Sequence, residues 1–439
     1  MSLHSHDIPE ALQPHRAHPV AVLGAGVSGQ AARALLERFG FTVTLYDERT
    51  GQDAGARSRF EPADHSLAVV SPGFGGDHPW LRQAGAARLA RLGELDLGAL
   101  FWAGPLIAIT GTNGKSTLTS FLTQALKRAG RPSVACGNIG RPLSRICLEE
   151  PHSALTAVCE VSSFQAERLR HLRIDALIWS NFAEDHLDRY PDMGAYFDAK
   201  ANLFACRKAS STPIILGDSV RRQAKALGRS LPEGTWSPVS LKALNMDGTP
   251  FALGPQRENL ALAAALWKAF DLPEAQLYQA ARGFVLPRHR LQVAGEAFGI
   301  RFWNDSKATN FASALAAVDA LERPVYWVGG GRAKGGDLTA FAASLARKIT
   351  AAFVTGEVGE VLRSALEAAG TPVTVCADID TATLSAGAAA RRAGGGSVLL
   401  SPGFSSLDQF RDYGQRGLVF ERAVRSFFRE NHEPESVNA

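Results

Sequence analysis

The chain has 439 residues, of which 46% are hydrophobic and 21% charged, and its formal net charge is +4, from 47 Lys and Arg against 43 Asp and Glu. That length is too great for one core and implies several domains. The signs are interspersed without a basic run, which argues against a nucleic-acid partner. Cys136, Cys147, Cys159, Cys206 and Cys376 lack paired spacing, so they read as reduced thiols of a cytoplasmic protein and not as a disulfide frame or a zinc site.

Residues 1–18 are polar and His-rich and read as a disordered tail. Its histidines, His4, His6, His15 and His18, could take a metal only adventitiously. The tail has no apolar core of a signal peptide. No apolar run in the chain approaches the ~18 residues of a membrane span.

Residues 19–104 form the first predicted domain. Val20 to Leu23 reads as a strand, Gly24-x-Gly26-x-x-Gly29 as a glycine turn, and Gln30 to Phe39 as a helix. A second strand over Thr42 to Tyr46 ends at Asp47. This is a dinucleotide fingerprint with its acidic residue at about the usual distance. Alone it suggests NAD, although the physics asks only for a diphosphate at a helix N-terminus, and a nucleotide-diphosphate sugar satisfies it as well. Leu67 to Val70 runs into Ser71-Pro72-Gly73, which places Ser71 and Gly73 at a strand end where such sheets bind ligands. Leu95 to Pro105 reads as a linker.

Residues 105–293 form a central domain, opened by Leu106-Ile-Ala-Ile-Thr-Gly-Thr-Asn-Gly-Lys-Ser-Thr117. A buried strand, a turn with Gly111 and Gly114, and a helix running on to Ala129 have the layout of a phosphate-binding loop. Backbone N–H groups of Gly111, Thr112, Asn113 and Gly114 can close around phosphate oxygens. Lys115 neutralises phosphate charge, and a hydroxyl from Ser116 or Thr117 can ligate Mg²⁺. The loop is a shortened variant, because the general pattern wants a glycine where Ile109 stands. A strand over 133–138 runs into Gly137-Asn138-Ile-Gly140. A further strand over 154–161 carries Glu160, a carboxylate that burial would leave in need of a cation, Mg²⁺ being the simplest. The alternative there is a salt-bridged Glu160 beside a helix-capping Ser162-Ser163. After a strand over 176–180, Asp185, His186 and Asp188 crowd one loop, each able to ligate a metal or act as a base. Lys200 lies on a helix over 195–204, and on pattern alone it is a solvated charge. Asn259 opens a helix, and Arg288 and Arg290 flank a basic turn at the domain border.

Residues 294–439 form a third α/β domain. Strands near 300–303, 325–328, 351–355 and 397–400 alternate with helices. Ligand-type loops follow three of them: Asn304 to Asn310, Gly329 to Gly336, and Ser401 to Phe410.

Taken together, these motifs resemble the muramyl (Mur) ligases, the ATP-dependent amide-forming enzymes of peptidoglycan precursor synthesis. The likeness runs from about residue 20 to 428. It is carried by Thr110 to Thr117, Gly137 to Gly140, Glu160 to Ser163, Asn181 to His186, His289-Arg290 and Asn304 to Asn310. Ser71-Pro-Gly73, Asp185 to Tyr190, and Leu400 to Phe410 followed by Tyr413 and Gln415-Arg-Gly417 point to the members that add D-glutamate to UDP-N-acetylmuramoyl-L-alanine. The resemblance implies a three-domain α/β fold, Rossmann-like at both ends with a phosphate-loop ATPase-type centre. It implies a UDP-substrate site at Gly26, Val27, Ser28, Asp47, Arg49, Ser71, Gly73, Asn138 and Ser162. ATP is implied at residues 111–117 with Asn259, Arg290 and Asp305. The amino acid is implied at Lys307, Thr309, Lys334, Ser406, Leu407 and Tyr413. Lys115, Glu160, His186 and Lys200 are the implied catalytic set. Two Mg²⁺ ions are implied on Ser116, Glu160, His186 and Lys200, the last as a carbamate. A cytoplasmic monomer without nucleic-acid or membrane partners completes the expectation.

Three departures from the family pattern stand out. Glu258-Asn-Leu-Ala-Leu262 replaces a His-Asn-x-x-Asn run. Arg332 and Ala333 stand where an acidic residue is usual. Ser401-Pro-Gly403 replaces Ser-Pro-Ala. Rival readings are an NAD-dependent oxidoreductase, a non-catalytic ATP-binding relative, and a ligase using another amino acid.

Overall fold

The computed structural model describes residues 8–49, 55–150 and 154–431. The chain divides into two compact units. The first comprises Met1–Phe182, Gly194–Asn245 and Glu258–Phe284, and the second Ala183–Met193, Met246–Arg257 and Val285–Ala439.

The first unit holds two parallel five-stranded sheets. One is built from β1 (Val20–Leu23), β2 (Val43–Tyr46), β3 (Ala56–Arg57), β4 (Leu67–Val70) and β5 (Ala90–Gly93) in the order β3-β2-β1-β4-β5. The other is built from β6 (Leu106–Thr110), β7 (Ser133–Gly137), β8 (Thr156–Glu160), β9 (Ala176–Trp179) and β10 (Ile214–Leu216) in the order β10-β9-β6-β8-β7. Strands β1, β4 and β6 are buried at every position, as strands covered on both faces must be. In each sheet the order in which strands are added reverses beside the first strand, β1 or β6. That topology opens a crevice at the carboxyl ends of these strands, where the two glycine turns lie.

The second unit holds one six-stranded sheet. It contains β11 (Gln292–Ala297), β12 (Ile300–Asn304), β13 (Val325–Gly330), β14 (Ala351–Thr355), β15 (Val373–Val375) and β16 (Gly396–Leu400), ordered β11-β12-β16-β13-β14-β15. All pairs are parallel except the edge hairpin β11–β12. The loops after β12, β13 and β16 leave neighbouring strands at the same edge.

Two expectations need correction. The predicted tail is ordered from Ile8 onward: Glu10–His15 forms a 3₁₀ turn, and Ile8 and Leu12 are buried. Apolar residues spaced among polar ones supplied an anchor that composition concealed. His4 and His6 lie outside the described residues. The predicted linker is instead a helix, Glu94–Phe101, with Leu95, Asp96 and Leu97 buried. Asp96 accepts the backbone N–H groups of Arg170, His171 and Leu172, so its charge sits inside a ring of donors.

Candidate active site

The turn after β6 is built by two glycines. Gly111 has φ +145°, and a Cβ there would lie 2.0 Å from Ser180 Oγ. Gly114 has φ +82°, and its Cβ would meet Asn259 Oδ1 at 2.5 Å. Both positions therefore require glycine, on backbone conformation and on space alike. The helix Lys115–Arg128 starts directly after the turn.

Neighbouring strands brace the loop. Asn181 takes the N–H of Thr112 on its carbonyl at 3.0 Å and that of Asn113 on Oδ1 at 2.8 Å. Ser180 Oγ and Asn181 Nδ2 donate to the Asn113 carbonyl at 2.7 and 3.1 Å. Sequence pattern did not mark Ser180 as functional; a polar pair closing a buried strand was its only signal. Lys115 folds back over the turn, with Nζ 2.9 Å from the carbonyls of Gly111 and Thr112. Lys200, expected on pattern to be solvated, is only 1% exposed. Its Nζ donates to the same Gly111 carbonyl at 3.0 Å and lies 4.9 Å from the Tyr196 ring centroid. Two ammonium groups thus share one oxygen.

Glu160 ends β8, beside β6, and is 2% exposed. Oε1 accepts Asn138 Nδ2 at 2.8 Å, while Oε2 is buried without a hydrogen-bond partner. A buried carboxylate oxygen left this way fits a hard cation. Among the described residues no three His, Cys, Asp or Glu side chains group to hold a metal. Mg²⁺ suits such a site, since it takes one or two carboxylates and otherwise phosphate and water oxygens. Ser162 caps the short helix Ser163–Ala166 in a reciprocal arrangement with Gln165. The capping role weighed for it is therefore real, whereas Glu160 meets an amide and, among the described residues, no salt-bridge partner.

At the first sheet, Asp47 accepts the Ala25 N–H at 2.8 Å and those of Arg49 at 3.0 Å (backbone) and 3.3 Å (Nε). The Ala25 N–H, more than the others, holds its carboxyl below the usual range. Gly26 and Val27 are exposed beside it, and Ser28 is half-buried. Ser71 Oγ lies 3.5 Å from the Gly24 carbonyl, next to exposed Gly73.

In the second unit, Asp185, His186 and Lys334 are neighbours. Asp185 pairs with Lys334 at 3.5 Å, accepts Asn310 Nδ2 at 3.1 Å, and accepts the His186 N–H at 2.9 Å. Glu184, Asp185, Thr309, Asn310, Lys334 and Gly403 line a cavity of about 290 Å³, which His186 does not line. Lys307 Nζ lies 4.0 Å over the Tyr413 ring. Ser406 is buried and Leu407 exposed on the loop after β16. Asp305 accepts Ser401 Oγ at 2.9 Å and the Leu291 N–H at 3.1 Å. Burial pushes its carboxyl up to about 7 against those bonds and the charges of Arg290 and Arg416. Arg416, 1% exposed, belongs to the Gln415-Arg-Gly417 run that carries the family likeness, but the sequence assigned it no role. It donates to Ser306 Oγ, the Ser306 carbonyl and the Phe404 carbonyl, joining two site loops.

Residues 109–234 match the family model described as the Mur ligase middle domain, and 289–403 that of the Mur ligase glutamate ligase domain. A UDP-N-acetylmuramoylalanine--D-glutamate ligase of Gloeobacter violaceus is 32% identical over 92% of this chain and 98% of its own. The chain belongs to the Mur ligase family. A like-named ligase of Nitrosococcus oceani is also 32% identical, over 95% and 98%. Among solved structures, MurF from Acinetobacter baumannii superposes with TM-score 0.59 at 14% identity, covering 91% of this chain and 98% of that one. A folylpolyglutamate synthase of Mycobacterium tuberculosis gives 0.53 at 15%, over 76% and 92%. Those likenesses speak to the α/β fold alone. Family membership removes the oxidoreductase reading of Gly24 to Asp47.

The departures have local explanations. Leu262, in place of the family's second asparagine, is buried in the core. Glu258, in place of histidine, is exposed in the first turn of the helix Gln256–Ala269. Arg332 pairs with Glu357 at 2.7 Å, and its backbone bridges to Ser405. No helix among the described residues is long and apolar enough to cross a membrane.

Proposed function

We propose that the chain is an ATP-dependent ligase that adds D-glutamate to UDP-N-acetylmuramoyl-L-alanine in peptidoglycan precursor synthesis. The observation that carries this reading is the near full-length match to D-glutamate ligases. The braced turn 111–117 beside Glu160 supports it. Residues 19–104 are assigned the UDP-substrate, 105–293 ATP, and 294–439 the amino acid. The enzyme is taken as a cytoplasmic monomer.

The substrate's alanyl carboxylate attacks the γ-phosphorus, the bond to the ADP oxygen breaks, and an acyl phosphate forms. The amine of D-glutamate then attacks the acyl carbon and loses a proton, and phosphate leaves. Anions converge in both steps, so cations govern the rate. Lys115 neutralises the β- and γ-phosphates, and the N–H groups of Gly114 to Thr117 orient them, those of Thr112 and Asn113 being taken up by Asn181. Asn259, Arg290 and Asp305 are assigned to the rest of ATP. Gly26, Val27, Ser28, Asp47, Arg49, Ser71, Gly73, Asn138 and Ser162 are assigned to the UDP-substrate. Lys307, Thr309, Lys334, Ser406, Leu407 and Tyr413 receive the amino acid, whose carboxylates suit lysines and hydroxyls.

Bound Mg²⁺, here taken as two ions, would neutralise the phosphoryl oxygens further. Ser116, Glu160 and a carbamylated Lys200 would hold them. His186 lies in the second unit and keeps its ligand assignment from family resemblance alone. The neutral Lys200 amine adds to CO₂ and releases a proton. The resulting anion relieves the crowding of two ammonium groups on the Gly111 carbonyl.

Phosphate release should require ATP, Mg²⁺, UDP-N-acetylmuramoyl-L-alanine and the amino acid together, and Lys115→Ala should abolish it. Release that persists in Lys115→Ala would refute the loop assignment.

A further inference from the structure

Arg168 crosses between the two sheets of the first unit. It lies just beyond the short helix Ser163–Ala166 that follows Glu160 and Ser162. Its N–H donates to the Gln165 carbonyl at 3.3 Å, and Gln165 in turn caps Ser162. At the other end of the side chain, Nη2 donates to the Phe74 carbonyl at 3.3 Å. A Cβ added at Gly93 would lie 3.9 Å from Arg168 Cβ, and with Gly93, Pro72, Phe164 and Gln165 the arginine lines a cleft of about 260 Å³.

Phe74 closes the turn that carries Ser71 and Gly73, through its N–H to the Ser71 carbonyl at 3.3 Å. That turn rests on the first glycine loop. A Cβ at Gly24 would lie 2.7 Å from Ser71 Oγ and 3.1 Å from the Phe74 ring. A continuous set of contacts therefore leads from the Gly24 turn through Ser71–Phe74 and Arg168 to Ser162 and Glu160. Arg168 is the one cation in this path. An arginine fits because its fork can reach a carbonyl while its stem lies along the cleft beside Gly93.

We propose that Arg168 is a positioning residue for the nucleotide-sugar substrate. It fixes the Ser71–Phe74 turn relative to Ser162 and Glu160. A substrate gripped by its diphosphate at the first sheet then presents its carboxylate at the second. This rests on the assignment of the first sheet to a UDP-linked substrate.

The test is steady-state kinetics on the full chain, varying each substrate in turn. Arg168→Met keeps the stem and removes the donors. It should raise KM for UDP-N-acetylmuramoyl-L-alanine about 10-fold, the loss expected for a charged hydrogen bond. KM for ATP and for D-glutamate should stay within about twofold of wild type, and Arg168→Lys should restore most of the loss. A KM for the UDP-substrate within twofold of wild type in Arg168→Met would overturn the proposal. So would a joint shift of all three KM values and kcat, the mark of a merely structural role. If wild type shows no turnover, the ligase assignment itself fails. Calorimetric binding of UDP to wild type and Arg168→Met then decides: weaker binding by the variant supports the positioning role, and equal affinity or no binding overturns it.

Discussion

Gly111→Ala tests the phosphate loop at its tightest point. The residue has φ +145°, and the added methyl would lie 2.0 Å from Ser180 Oγ and 3.2 Å from the Asn181 nitrogen. Holding alanine in that conformation costs about 1–3 kcal/mol. Overpacking against a buried strand end costs about 1–3 kcal/mol more. The loop can escape this only by moving, and movement breaks the bonds from Ser180 and Asn181 to the Asn113 carbonyl. The bonds from the Thr112 and Asn113 N–H groups to Asn181 go with them, and the N–H groups of Gly114 to Thr117 then lose their aim. At about 1.4 kcal/mol per tenfold, the lower end of the sum already predicts ADP–Mg²⁺ affinity reduced roughly 30-fold. Isothermal calorimetry on Gly111→Ala measures it. The double variant Gly111→Ala/Ser180→Gly removes the contact but leaves the backbone strain and gives up the Ser180 bond to Asn113, so it should recover only part of the loss. Affinity within threefold of wild type in Gly111→Ala would refute the reasoning.

Other expectations follow from buried charge. Arg416→Met leaves three acceptors on Ser306 and Phe404 without their donor and should destabilise the second unit by about 3 kcal/mol, read by urea unfolding; an unchanged midpoint would contradict this. Burial pushes the Glu94 carboxyl from 4.5 up to about 7, against bonds from Ser144. The folded state thus holds a proton that the unfolded chain releases, so the associated stability is complete below about pH 4.5 and lost as pH rises through about 7. Glu94→Gln should remove that loss, so its unfolding free energy relative to wild type should grow by about 3 kcal/mol between pH 4.5 and 8; a constant offset would count against it. Lys200→Ala should be inactive and partly rescued by a short-chain carboxylate, and failure of rescue would weaken the carbamate role.

The sequence made the strand–turn–helix units legible, because glycines, apolar runs and hydroxyls act through neighbouring backbone. The loop 111–117 and the Ser71 and Asn304 turns lie where that logic put them. What escaped it depends on contacts far apart in sequence. The supposed linker is a helix because Glu94 and Asp96 meet backbone donors at 144 and 170–172. Lys200 looked solvated because the carbonyl that buries its ammonium lies 89 residues away. Glu160 was legible as a buried carboxylate, but its visible partner is the Asn138 amide and not a cation. Arg416 stood out only as part of a family motif and its role was hidden, since its acceptors come from loops 12 and 110 residues distant.

Product formation with D- against L-glutamate tests the central claim most directly. With ATP, Mg²⁺ and UDP-N-acetylmuramoyl-L-alanine supplied, mass spectrometry should find the glutamyl adduct with the D-isomer and little or none with the L-isomer. Absence of an adduct with either isomer would contradict the account.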